Sequence, residues 1–214
     1  MNDWNGQNRL DFFKGDVPKE LLDTYDESDP AHQEMIWENI TQRGLNCIDV
    51  YINDVLPLFD EVLSVQDTGP IKNEEGDEFV YVVDFIVKMK DGRIVLMDNK
   101  TASAKYPKNK VVKSQQLSLY LEAFPDVKYA GYVVLIKNPE KEKGLTYQVM
   151  IDEIPEETRA KSFKELEEAL TGIKNKVFEP NLKSCRLYGK PCEYSAYCFT
   201  GDKTGLVSTK REDK

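Results

Sequence analysis

Hydrophobic and polar positions along the chain sort into an alternating set of helices and strands. After Pro30, Met35, Ile36, Trp37, Ile40, Leu45, Ile48 and Tyr51 recur at roughly helical spacing, with Gly44 marking a bend or break and Pro57 closing the segment. Leu58–Val65 is apolar-rich and reads as a strand, and a turn-like stretch around Lys72–Asp77 follows. Glu78–Met89 is dense in β-branched and aromatic residues, as strands are. Asp91-Gly92 is a hairpin signal, and Arg93–Asp98 supplies the partner strand. A lysine-rich loop then leads to a helix over Val111–Phe124, ended by Pro125. Val127–Lys137 is nearly continuous in apolar residues, the mark of an interior strand, and Leu145–Ile151 is a further strand. Glu156–Lys176 carries Phe163, Leu166, Leu170 and Ile173 on one face of an amphipathic helix.

This order predicts an α/β chain whose mixed sheet is flanked by helices. Three regions are expected. A polar N-terminal segment (1–30) carries a short helix at Pro18–Tyr25, a core spans 31–180, and a cysteine-bearing tail covers 181–214.

Composition narrows the class. Of the 214 residues, 40% are hydrophobic and 31% charged, so the chain can bury a core and is not compositionally disordered. No apolar run is long enough to span a membrane. The first residues lack the basic start and apolar stretch of a secretory signal, so a cytoplasmic setting is expected. The net charge of −9 argues against a protein that coats nucleic acid. Its distribution is uneven, however. Asn99–Leu121 holds Lys100, Lys105, Lys108, Lys110 and Lys113 and no acid, leaving −14 on the rest. The last four lysines are candidates for a local phosphate track.

Candidate chemistry centres on two aspartates. Asp84 lies inside an apolar strand, and Asp98 ends the next. A buried carboxylate costs several kcal/mol unless it is paired or ligates a metal, and two on adjoining strands repel. A shared Mg²⁺ or Mn²⁺ resolves that repulsion. Lys100 falls on the same strand face as Asp98 and could neutralise charge on a phosphate or position an attacking water; an Asp–Lys ion pair is the plainer reading. Gln116 and Tyr120, four apart on the following helix, share a face and could support such a site.

Tyr81–Ile86 (YVVDFI), Ile94–Thr101 (IVLMDNKT) and Gln116–Tyr120 (QLSLY) together resemble the PD-(D/E)xK nuclease superfamily, most closely its RecB-like branch with the Cas4 nucleases and phage exonucleases. The resemblance implies a restriction-endonuclease-like αβββαβ core and a metal-dependent deoxyribonuclease, expected to be exonucleolytic. It implies a cation on Asp84, Asp98 and the backbone carbonyl of Asn99, and it implies that Lys100 acts on the water or scissile phosphate, supported by Gln116 and Tyr120. The expected partners are single- or double-stranded DNA ends, with recombination or replication proteins as a further class and no membrane. The setting would be a bacterial or phage-infected cytoplasm. A catalytically weakened DNA-binding module and an acidic protein-interaction subunit are the alternatives.

Two features depart from the pattern. The histidine that relatives often carry on the first helix has no counterpart, since His32, the sole histidine, lies far upstream. Cys47 takes that place, or Glu38 or Glu61 assists, or the shell is open. Relatives also carry a 4Fe–4S cluster on one upstream and three C-terminal cysteines. Cys47, Cys185, Cys192 and Cys198 match that count, but with a six-residue first gap. A cluster, a zinc site and buried free thiols are the three readings.

Overall fold

The computed structural model describes residues 30–177, 192 and 194–205. The chain divides into two compact units, Met1–Leu166 and Glu167–Lys214. In the first, helix α1 (Pro30–Val50) passes into a π-helical turn (Tyr51–Val55) and a 3₁₀ turn (Leu56–Leu58) holding Pro57. Five strands follow: β1 (Phe59–Lys72), β2 (Glu78–Met89), β3 (Ile94–Ala102), β4 (Tyr129–Ile136) and β5 (Tyr147–Glu153). Helix α2 (Gln115–Ala123) lies between β3 and β4, and α3 (Glu156–Lys174) follows β5. In the second unit the described residues include a short helix, α4 (Ser195–Thr200), which the sequence reading did not anticipate. The short helix expected at Pro18–Tyr25 lies outside the described residues, as does Cys185.

The sheet order is β1-β2-β3-β4-β5, antiparallel except for the β3–β4 pair, which is parallel and crossed over by α2. This is the mixed sheet flanked by helices that the hydrophobic pattern predicts. On one face Leu117 and Leu121 of α2 pack without exposure against Val83, Leu96, Ala130, Tyr132 and Val134. On the other, Val55 of the π-turn joins Phe59, Phe85, Val87, Val95, Met97 and Val133. Alternate residues of β3 thus feed two cores, with Leu96 in one and Met97 in the other.

Four expectations are corrected. Gly44 does not break α1, which carries across it from Pro30 to Val50. The first strand runs on to Lys72, since its outer half pairs with β2 although little of it is buried. β3 continues past Asp98 to Ala102, held by parallel pairing to β4. The second helix begins at Gln115 rather than Val111, because the Ser114 side chain caps it by accepting from Leu117 N at 3.1 Å.

One irregularity matters for function. The β2–β3 ladder runs from Lys88–Ile94 only as far as Phe85–Met97. Beyond it β2 pairs with β1 as a two-stranded arm, while β3 stays with β4, so the sheet forks. The two-residue alternation of β2 also breaks there: Val83 packs in the α2-side core and Phe85 in the other. Across from the break, Gln66 of β1 adopts a positive φ of 50°. Asp84 occupies the break itself.

Candidate active site

The fork brings the predicted residues together. Where the ladder stops, Asn99 N donates to Asp84 Oδ2 at 2.8 Å, a side-chain carboxylate standing in for the lost strand partner. Asp98 follows the last ladder pair on β3 and is 2% exposed. Gln116 Nε2 donates to Asp98 Oδ1 at 2.9 Å and lies 2.9 Å from the Tyr120 hydroxyl. Lys100 Nζ pairs with Asp98 Oδ2 at 2.6 Å, and no other donor among the described residues reaches that buried oxygen. Asp98, Lys100, Gln116 and Tyr120 therefore form one connected group, tied through Asn99 to Asp84.

Local structure explains the placement. Period-two alternation sends Asp98 and Lys100 to the α2 side of β3 and Asn99 to the other. Tyr132, paired with Asp98 across the parallel ladder, carries the Lys100 ammonium 5.9 Å from its ring centre. Its hydroxyl lies 2.6 Å from Ser114 Oγ, the oxygen that caps α2. The same tyrosine thus fixes where the helix starts and where the lysine rests. Two residues into α2, Gln116 then reaches Asp98.

Burial pushes the Asp98 carboxyl above the ordinary carboxylate range. The nearby charge of Asp84 adds to the rise, while Lys100 and Gln116 oppose it. Lys100 is more exposed and is held protonated: burial works against its charge, but the contact with Asp98 prevails. An oxygen donor set in which a buried carboxylate oxygen has only the lysine beside it suits a hard divalent cation, which takes one or two carboxylates and keeps several waters. Among the described residues, no three His, Cys, Asp or Glu side chains converge on one point.

The residues offered for the first-helix position lie as follows, with one neighbour of Asn99 that the sequence did not single out. Tyr51, in the π-turn, lies beside the Asn99 side chain and within the field of Asp84, and burial raises its phenol. π-turns recur at functional sites, but no sequence signal marks this one. Cys47, one turn earlier, is half-buried; burial raises its thiol and Lys137 opposes the rise. Glu38 is exposed on α1, and Glu61 pairs with Lys88, four residues along β2 from Asp84. His32 sits in the first turn of α1. Cys192 and Cys198 belong to the second unit and form no disulfide among the described residues.

Lys105, Lys108, Lys110 and Lys113 are all exposed on the loop between β3 and α2. That loop is anchored. Gln148 of β5 accepts from Tyr106 N at 2.9 Å and donates to Tyr106 O at 3.2 Å. The Tyr106 ring stands edge-on to Tyr132 and takes the Lys110 ammonium at 5.5 Å, while Val111 is fully buried. No helix among the described residues is long and apolar enough to cross a membrane.

Among solved structures, the chain resembles SSO0001, at 17% identity and a TM-score of 0.41, over 83% of this chain and 77% of that one. It also resembles a Eubacterium rectale protein described as a "putative exonuclease", at 12% identity and a TM-score of 0.41, over 94% and 70% of the two chains. No curated protein matches it. The profile of the PD-(D/E)XK nuclease superfamily matches residues 22–199, which covers most of the chain and every residue of the site just described. The chain belongs to the PD-(D/E)XK nuclease superfamily.

Proposed function

We propose that the protein is a divalent-metal-dependent deoxyribonuclease acting at DNA ends. The observation that carries the reading is the group at the sheet fork: two acids from separate strands, a lysine on one of them, and Gln116 with Tyr120 braced against it. Asp84, Asp98 and the backbone carbonyl of Asn99 would hold Mg²⁺ or Mn²⁺. A cation there supplies Lewis acidity toward a phosphate and an acidified water. Gln116 orients the Asp98 carboxylate, and Tyr120 fixes the Gln116 amide. Lys100, one third exposed and positively charged, faces the space where a scissile phosphate would carry developing charge. The exposed lysines from Lys105 to Lys113 supply a cationic approach on a chain that is otherwise acidic. Action at ends, and kinship with the RecB-like branch, rest on the three-part motif.

Incubation of labelled single- and double-stranded DNA with Mg²⁺ or Mn²⁺ tests the proposal, with Asp98→Ala as control. Metal-dependent shortening from the ends by the wild type alone supports it; equal loss with the variant, or none with either, rejects it. A second reading, a DNA-binding module with weakened turnover, is favoured by the want of a third convergent ligand side chain among the described residues. Binding of DNA without metal-dependent cleavage would select that reading.

A further inference from the structure

Beside the acids, a pocket of about 580 Å³ opens between the β1–β2 arm, α2 and the first half of α3. Ile71, Phe79 and Tyr81 form the arm side, and Gln116, Leu119 and Tyr120 the helix side. Gln116 and Tyr120 are also the residues that brace Asp98, so pocket and acids share a wall one side chain thick. Apart from the uncharged amides of Gln115 and Gln116 the lining is aromatic and aliphatic, and the one acid on it, Glu78, is paired with Lys72 at 2.8 Å. Such walls do not suit a phosphate; they suit a flat, uncharged ring.

The rings are held in place rather than loosely displayed. Phe79 meets Phe163 edge-on at 6.1 Å, and Tyr81 meets Phe124 edge-on at 5.3 Å. The phenol end of Tyr81 passes over Gly69, its cross-strand partner, where an added Cβ would come within 2.7 Å of the hydroxyl. Only glycine at 69 leaves Tyr81 where it is.

We propose that this pocket receives an unpaired base of the strand being cut, the base next to the phosphate presented to Asp84, Asp98 and Lys100. The proposal rests on the nuclease reading and adds a substrate class: DNA that is single-stranded at that nucleotide. A paired base is stacked in its duplex and cannot enter, whereas an unpaired base can stack on protein aromatics whatever its identity. The backbone is left to the exposed lysines, and the base to neutral walls.

The test walks a single abasic residue along a single-stranded oligonucleotide and measures kcat/KM with Mg²⁺ for the wild-type protein. The expected result is one position flanking the scissile bond at which base removal lowers kcat/KM about ten-fold or more. Phe79→Ala and Gly69→Val should shrink that dependence. Equal cleavage at every abasic position, or duplex ends cut as fast as unpaired strands, overturns the proposal and leaves the nuclease reading intact. A binding arm separates the two failures: with Ca²⁺ in place of Mg²⁺, 2-aminopurine at the sensitive position, or at the position next to the end if nothing is cut, should change its emission on binding. The wild type should show this change and Phe79→Ala should lose it. No change with a bound strand rejects the pocket, and no cleavage of any DNA rejects the nuclease.

Discussion

Replacing Lys100 with methionine isolates the electrostatics of the site. The ammonium is 2.6 Å from an Asp98 oxygen that is otherwise without an aligned donor, and the Asp98 side chain is 2% exposed. Methionine keeps the unbranched apolar stem and removes the charge. Deleting one partner of a fully buried pair costs about 3–5 kcal/mol. Here the ammonium is one third exposed, so solvent already screens part of the interaction and about 2 kcal/mol is expected. In EDTA that corresponds to a fall in Tm of roughly 4–8 °C for a chain of this size. A cation at a hundred times its Kd contributes about 2.7 kcal/mol to stability through binding the folded state alone. In the variant it also neutralises the stranded carboxylate. Thermal melts in EDTA and across a Mg²⁺ titration should therefore show Lys100→Met less stable without metal, yet raised further by metal than the wild type. An unchanged Tm in EDTA would mean that Asp98 does not depend on Lys100. A smaller metal-induced rise in the variant would refute the idea that lysine and cation neutralise the same charge.

Further perturbations follow from other parts of the structure. Because burial raises the Asp98 carboxyl, the folded protein binds that proton more tightly than the unfolded chain; the associated stability is present below the ordinary value of about 3.9 and is lost as pH rises through the folded one. Asp98→Asn should make the slope of stability against pH more positive just above that value in metal-free denaturant titrations, and an unchanged slope would contradict the assignment. Tyr132→Phe removes the hydroxyl beside the α2 cap and should lower metal-dependent cleavage more than stability, whereas Ser114→Ala should also cost about 0.5–2 kcal/mol in denaturant melts. Gly131→Ala, whose Cβ would collide with the Met150 carbonyl and the Met97 sulfur, should destabilise by about 1–3 kcal/mol or more, read as a lower denaturant midpoint. Leu121→Ala, fully buried under the sheet, should cost about 2–5 kcal/mol by the same measurement.

The parts legible in the sequence are those whose burial leaves a pattern. β2 shows itself through β-branched and aromatic residues, and the Asp91-Gly92 turn through its chemistry: Gly92 adopts a φ of 88° and Asp91 accepts from Arg93 N. The outer half of β1 is not legible, because few of its side chains are buried and only its pairing makes it a strand. Asp84 and Asp98 stand out as acids within apolar strands, and the motif supplies Lys100, Gln116 and Tyr120. What joins them is not written locally. Opposite the fork lies the left-handed Gln66, eighteen residues before Asp84, and the cap of α2 meets a tyrosine from an apolar strand that reads only as core. Tyr51 reads merely as one more member of a helical stripe, though the π-turn sets it near Asn99 and Asp84. Ser114 carried a readable signal, a capping residue before an apolar helix, at the point where the helix begins.

The divided sheet also has a mechanical meaning. Asp84 rides at the root of a two-stranded ribbon, and Asp98 is fixed in the body of β3, β4 and β5, with the Asn99–Asp84 hydrogen bond across the gap. Their separation is therefore governed by how the ribbon leans, not by a rigid ladder. An ion gripped by both acids would act as a clasp on the ribbon, and whatever settles against the ribbon would in turn tune the grip, since linkage between two binding events is reciprocal.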